Sequence, residues 1–478
     1  MAQPGKRPDY LLGNTLNDLF MTLPKSEIQQ IAHEVHEQCR RRGITYVDDD
    51  NTMRVIPLML RPTLINPIQR SYFHYVSLQV IDALKKLCAR YIADPEIRRL
   101  LPMREDEEAW LLGAWGRGVP RFHTILSRLD ANTDFTADDW RENFQFFEAN
   151  SVGVGGLHYT TISERIILDV VGPRLKQLDP ELHLELNGDT RELLLDELKL
   201  HARAIGRPRC NIAFLDDPKN IGGITEYPHL AEHFYSRGHQ AVVADPRLIY
   251  LHNDELCYRG IPIDVIYRDI DVKQCIEIEK SEGKDLSAIR TAFQRNQVVS
   301  SLAGDFDHKS CWELFSDDRF GHFFTPAQWR IFNRHILWTR LIRDTKTTQE
   351  AGRTVDLVPY VRNNRESLVI KPNRQFGGVG VTIGPETTAA RWDEVIQEAV
   401  TRPYTYVVQR YTPVHSNEFP VLHPSGEVSS EEFFVNSGFY VTANAISLIG
   451  RASKKSVVNV AQAGGLTTVL MILDQQRL

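Results

Sequence analysis

Lys371 stands at the end of an apolar run, Leu368, Val369 and Ile370, and is followed by Gly377, Gly378 and Gly380 in the segment SLVIKPNRQFGGVGVTIG. β-Branched and apolar residues in succession predict a core strand, which would deliver the Lys371 ammonium to a fixed point. A glycine tip lets backbone N–H groups come close to a ligand, because no Cβ intervenes. An ammonium beside such groups suits phosphate oxygens. The spacing is not that of a Walker A loop. Gly-Gly between two apolar runs is also an ordinary hairpin, so this segment alone leaves a nucleotide site and a plain turn both open.

A second segment, SRLDANTDFTADDWRENFQFFEANSV from Ser127, sets Arg128 and Asp130 ahead of an apolar strand, Phe144 to Phe147, that ends in Glu148-Ala-Asn150. Residues two apart on a strand share a face, so the Glu148 carboxylate and the Asn150 amide oxygen should project together. With Asp130 they offer the few hard oxygen ligands that magnesium takes alongside substrate phosphates. Solvated loop acids are the alternative for a Glu-x-Asn taken alone.

Together the two segments resemble the ATP-grasp ligases, in particular the circularly permuted branch that includes glutathionylspermidine synthetase and eukaryotic glutathione synthetase. The order of the motifs carries the permutation: Glu148 and Asn150 precede Lys371, whereas in ordinary ATP-grasp chains the acidic strand follows the ATP lysines. The resemblance implies that Arg128 binds phosphate and that Asp130, Glu148 and Asn150 hold Mg2+. Asp134 competes with Asp130 for the first carboxylate, because the gap to Glu148 is longer than the family's. It further implies that Lys309, in SSLAGDFDHKSCWELFSD, opens a helix and grips the phosphates of ATP opposite Lys371. Gln409, Arg410 and Tyr411, in YTYVVQRY, would form a hinge whose backbone meets adenine. Arg451, in SLIGRASKKSVVNVAQAGG, would reach the transferred phosphoryl. Two residues before Asn459 stands Val457, where an unpermuted chain needs a glutamate.

The implied fold class is α/β (α+β), a circularly permuted ATP-grasp fold with a small Rossmann-like domain ahead of it and a helix-rich N-terminal region. The implied activity is an ADP-forming carboxylate–amine ligase, in which an acyl phosphate is attacked by an amine. Arg128 and Arg451 would stabilise the moving phosphoryl and the tetrahedral oxyanion. The partners would be a small-molecule or peptide carboxylate and an amine co-substrate, and fold analogy does not choose either. A non-catalytic ATP-binding scaffold and an ATP-dependent kinase are the alternatives.

The elements that must position these residues fall into three regions. Residues 1–205 read as helix-rich, with helical apolar spacing over Lys25–Arg41, Ser71–Ile92, Thr161–Leu178 and Glu192–Arg203. The strands of the Asp130 to Asn150 stretch should nevertheless belong to the catalytic core. From Arg207 to about 300 the pattern becomes βαβ, with NIAFLD, a helix across Tyr227–Arg237, QAVVAD and IDVIYRD. The loop after NIAFLD opens at the carboxyl edge of such a sheet, where ligands bind. Gly222 and Gly223 in that loop would admit substrate, or simply make a flexible turn. Arg268, closing IDVIYRD, is a candidate for the substrate carboxylate on the same logic. Residues 301–478 are the nucleotide-binding region.

Composition bounds the rest. At 478 residues and 42% hydrophobic the chain can bury two or three cores. No run of about eighteen apolar residues occurs, so no membrane span is expected. The polar start, MAQPGKRPDYLLGN, lacks the apolar stretch of a secretory signal, and the cytoplasm is the expected location. Six scattered cysteines without a CxxC pair argue against zinc and a disulfide framework. A net charge of −6 gives no footprint for nucleic acid. Assembly is left open, a homodimer included.

Overall fold

Alternation along three strands from opposite ends of the chain builds the face on which the charged residues sit. In SRLDAN the odd residues Leu129 and Ala131 are buried, and so are Phe146 and Ala149 of the neighbouring strand and Phe439 of a third. Under this face Phe73, Phe144 and Phe439 pack with ring centroids 4.9 to 5.4 Å apart. Edge-on aromatic packing of this kind adds about 0.5–1.5 kcal/mol per pair beyond area burial. Phe73 comes from the helix Pro67–Ala93, whose start is fixed by a capping box: Gln69 N–H donates to Asn66 Oδ1 at 2.8 Å and Asn66 N–H to Gln69 Oε1 at 2.9 Å.

The computed structural model describes residues 9–48, 50–219, 223–350, 352–375, 377–456 and 464–473. Its largest sheet runs in the order Thr63–Ile65, Gly464–Ile472, Ile446–Ser453, Val428–Val441, Ser127–Asn132, Gln145–Asn150. The N-terminal strands therefore pair directly with C-terminal ones. Ser127–Asn132 lies antiparallel to Val428–Val441 with Gly438 opposite Asp130, and antiparallel to Gln145–Asn150 with Glu148 opposite Asp130. The register slips after Asp130, so that Ala131 faces Phe146. Such a bulge re-aims side chains beside a site.

A smaller antiparallel sheet takes the order Thr339–Leu341, Tyr406–Arg410, Leu368–Pro372, Thr382–Ile383. Leu368, Ile370 and Val408 face the helices Leu357–Asn363 and Ala389–Thr401, packing against Trp392, Val395 and Ile396. Val369 and Lys371 alternate to the other side, as a strand's period of two requires.

A third sheet is parallel: Val298–Val299, Val265–Arg268, Ile212–Leu215, Ala241–Ala244. The βαβ reading of this stretch matches it, with the helix at Tyr227–Ser236. The helices expected in the N-terminal region occur at Lys25–Arg41, Pro67–Ala93 and Thr190–Ala204. The fourth, expected over Thr161–Leu178, is two helices, Leu157–Val170 and Gly172–Leu178. Pro173 lacks the N–H a continuous helix needs, and its ring crowds the carbonyl four residues back. All six cysteines are free and buried. No helix among the described residues is long and apolar enough to cross a membrane.

Candidate functional site

The large sheet and the small sheet face each other across a cavity of about 870 Å3. Its walls include Arg128, Asp130, Glu148, Asn150, Lys309, Lys371, Gly377, Gly378, Gln409, Arg410, Tyr411, Arg451 and Gly223. Register explains why four of them meet. Arg128 pairs with Asn150 across the strands and Asp130 with Glu148, so one face carries all four groups.

Asp130 is the hub. It is 2% exposed; it accepts hydrogen bonds from Arg128 Nε at 2.8 Å on one oxygen and from Asn150 Nδ2 at 3.1 Å on the other, which also forms an ion pair with Arg451 Nη2 at 2.8 Å. Burial pushes its carboxyl up, but Arg128 and Arg451 overcome that and hold it at about 2. It stays ionised at any physiological pH. Gly438 makes this geometry possible, since an added Cβ there would meet Arg128 Cδ at 2.6 Å. Arg128 also donates to Gly155 O at 2.9 Å.

The lysines converge from two sides. Lys309 lies just before the helix Cys311–Ser316 and is 7% exposed; it pairs with Glu148 Oε1 at 2.7 Å and donates to Gln375 O at 2.6 Å. Lys371 donates to Gln409 Oε1 at 2.7 Å and lies 4.8 Å from the Phe147 ring centroid. Burial lowers the Lys371 ammonium to about 8, with Lys309 adding to the shift and Glu148 opposing it. Beyond Lys371, Gly377, Gly378 and Gly380 adopt left-handed φ of 69°, 74° and 73°. Glycine takes that conformation without strain, and Gly377 and Gly378 line the same cavity as the lysine. Gly380 itself turns toward Pro372, whose Cγ lies 2.8 Å from where a Cβ would be, and does not line the cavity.

An apolar slot completes the cavity, with Leu337, Phe147, Val369, Val381, Ile383 and Val414 along it. Apolar walls beside a cationic end are the usual plan of a ligand site that is mostly apolar with a few directed polar groups. Asp130, Glu148 and Asn150 form a donor set of hard oxygens suited to Mg2+, two of them anionic. Here Asp130 is paired with arginines and Glu148 with Lys309, so a metal would share these oxygens with protein cations. Among the described residues no group of three or more His, Cys, Asp or Glu could hold a metal by itself, and the expected set needs Asn150 to reach three.

Two expectations are corrected. Arg268 does not face the cavity: its guanidinium is fully buried, bonded to Asp305 at 2.5 Å and to Ser300 O and Ser301 O at 2.7 and 2.8 Å. Every direction of its fork is used internally, so it cannot receive a substrate carboxylate. Arg410 and Tyr411 stand at the cavity wall as expected of the hinge, and their N–H groups are bonded to Trp338 O and Ser367 O at 2.8 and 2.9 Å. Gln409 acts through its side chain, 1% exposed, which links Lys371 to Thr339 Oγ1 at 2.9 Å. Asp134 is not at the cavity, for its Oδ1 is occupied by Thr136 N and Oγ1 at 2.8 and 2.6 Å and its Oδ2 by His415 at 3.1 Å. Gly222 and Asn459 lie outside the described residues.

Sequence reasoning missed Asn132, Asn436 and Asp269, all of which line the cavity. Asn132 continues the alternation Arg128, Asp130, Asn132, a signal available in the sequence. Asn436 is aligned with Arg451 across Val428–Val441 and Ile446–Ser453, which only the register reveals.

No protein-family model and no curated protein matches the chain. Among solved structures it is similar to a glutathione synthetase-like effector (GSS30) from Globodera pallida in its apo form. The two share 10% sequence identity over 94% of this chain and 97% of that one, with a TM-score of 0.60. That likeness shows a shared mixed α/β fold across nearly the whole length of both chains.

Proposed function

We propose that the chain is an ADP-forming carboxylate–amine ligase of the ATP-grasp type, circularly permuted, that uses ATP and Mg2+. The observation that carries this reading is the convergence of Lys309, Lys371, Arg128 and Arg451 with Asp130, Glu148 and Asn150 on one cavity, beside an apolar slot and under a glycine loop. The glutathione synthetase-like fold of the structural neighbour supports it.

Lys371 and Lys309 would hold the terminal phosphates, and the backbone around Gly377 and Gly378 would close over them. Asp130, Glu148 and Asn150 would hold Mg2+, which would supply charge neutralisation for the phosphates. Arg451 and Arg128 would stabilise charge that develops as a phosphoryl passes to a carboxylate oxygen. An amine then displaces phosphate from the acyl phosphate to give an amide. No protein nucleophile is needed.

A second reading, a nucleotide-binding scaffold without turnover, is favoured by one observation: both carboxylates of the metal set are already paired with protein cations. Incubation with ATP, Mg2+ and pools of carboxylates and amines, followed by nucleotide analysis and mass spectrometry of products, separates the two. The ligase forms ADP, phosphate and a condensed product together, and the scaffold forms none.

A further inference from the structure

The cavity has a second wall, at the carboxyl edge of the parallel sheet, which the phosphate-facing residues do not use. Asp269 follows the strand Val265–Arg268 and lines the cavity there. Tyr227 Oη donates to its Oδ1 at 2.6 Å and fixes the carboxylate from the protein side. The loop from Ser151 to Gly156 joins this wall to the cationic one. An added Cβ at Gly153 would meet Asp269 O and Oδ1, each at 2.9 Å, and Gly155 O accepts the bond from Arg128.

Asp269 is short of cations. The titratable groups acting on it are Tyr227 and Asp216, with Glu226, Tyr267 and Tyr440 around its neighbours; the cation that acts there is Arg128, on Tyr267, and no salt bridge reaches Asp269 among the described residues. The other acids of this wall are committed elsewhere. Asp271 caps the helix Val272–Glu282 through Gln274 N–H at 2.7 Å, and Glu277 pairs with Arg104 at 3.4 Å and with Lys273 at 3.9 Å.

We propose that Asp269 is the proton acceptor for the amine co-substrate, binding it as an ammonium and freeing the nitrogen to attack the activated carboxyl. This rests on the ligase reading above. One ammonium N–H bond breaks and its proton passes to the Asp269 carboxylate; the freed lone pair forms the C–N bond. The C–O bond to phosphate then breaks, phosphate leaves with that electron pair, and the nitrogen's surplus proton goes to it. Burial, helped by Asp216 and opposed by Tyr227, pushes the Asp269 carboxyl up to about 6. That brings it closer to neutrality than an ordinary aspartate, as a general base should be.

Hydroxylamine provides the test, because its nitrogen is unprotonated near neutral pH and needs no base. Wild type, Asp269→Asn and Asp269→Glu are given ATP, Mg2+, a mixture of amino acids and dipeptides as carboxylates, and either hydroxylamine or the ammonium-type amines glycine, ethanolamine and ethylenediamine. Asp269→Asn is expected to form hydroxamate within about twofold of wild type while amide formation falls on the order of 10²-fold, with partial recovery in Asp269→Glu. Tyr227→Phe should move the acidic limb of the wild-type amide profile to higher pH, a shift that a purely structural role would not produce. Equal loss of hydroxamate and amide in Asp269→Asn, or an unchanged amide rate, overturns the inference. So does a wild type that forms hydroxamate but no amide from any of the three amines. A wild type that forms no hydroxamate overturns the ligase reading itself and this inference with it.

Discussion

Two arginine–aspartate pairs, each with its arginine on a strand and its aspartate buried, differ in what surrounds them. Arg268 and Asp305, at the edge of the parallel sheet, are enclosed by the Ser300 and Ser301 carbonyls, and the arginine side chain is 0% exposed. Arg128 and Asp130, on the large sheet, keep 15% of the arginine side chain exposed, and the same aspartate is shared with Arg451 and Asn150 at the cavity. The first pair ties the chain together. The second is a charge cluster whose partners open onto ligand-sized space. An arginine at a strand end is therefore a substrate candidate only when its fork has a direction left over.

Breaking each pair should separate the two roles. Arg268→Ala leaves Asp305 buried without its cation, so unfolding in urea should show a loss of about 3–5 kcal/mol, the largest effect expected of any variant here. ATP affinity of the folded variant should stay near wild type. Arg128→Ala should cost less stability and remove most turnover, and the reverse ranking would refute the distinction.

Within the open cluster, Glu148→Gln preserves shape but weakens a hard-cation ligand, so turnover should drop on the order of 10²-fold while circular dichroism stays native. Normal turnover at limiting Mg2+ would place the metal elsewhere. On the proposed reading, Lys371 at its strand's end should touch ATP in the ground state, whereas Arg451 should meet the phosphoryl in transit. Calorimetry on Lys371→Ala should show ATP binding weakened about tenfold or more, while Arg451→Ala should mainly lower kcat. Equal losses of affinity in the two would erase that division.

The smallest effect is one of pH. Because burial sets the Lys371 ammonium near 8, its charge is complete below that value and is lost as pH rises through it. ATP affinity should then fall between about pH 7 and 9, and Lys371→Arg, which stays charged, should flatten the titration. A wild-type affinity flat across that range would argue against Lys371 as a phosphate contact.

Much of the cluster could be read from local pattern. A period of two placed Glu148 with Asn150 and Val369 with Lys371, and the glycines that follow do take left-handed φ. The hairpin's second strand shrank to Thr382–Ile383, because the glycine loop between the strands is long and engages the cavity instead of closing tightly. What local pattern could not supply is the partner of each charge. Arg268 reads like Arg128 in one dimension, and only the fold reveals that Ser300, Ser301 and Asp305 converge on it. Asn436 and Asp269 carry no local signal, since their place at the cavity depends on strand pairing and sheet order. The backbone bonds of the expected hinge are of the same kind: that Arg410 N–H goes to Trp338 O and Tyr411 N–H to Ser367 O depends on strand pairing, not on local pattern.

The most direct test of the account is the identity of the nucleotide product. With ATP, Mg2+ and mixed carboxylate and amine pools, the proposed hold of Lys309, Lys371 and Arg451 on the terminal phosphates predicts ADP and inorganic phosphate in equal amounts, matched by a condensed product. AMP with pyrophosphate, or ATP bound but never consumed under any pairing of substrates, would contradict it.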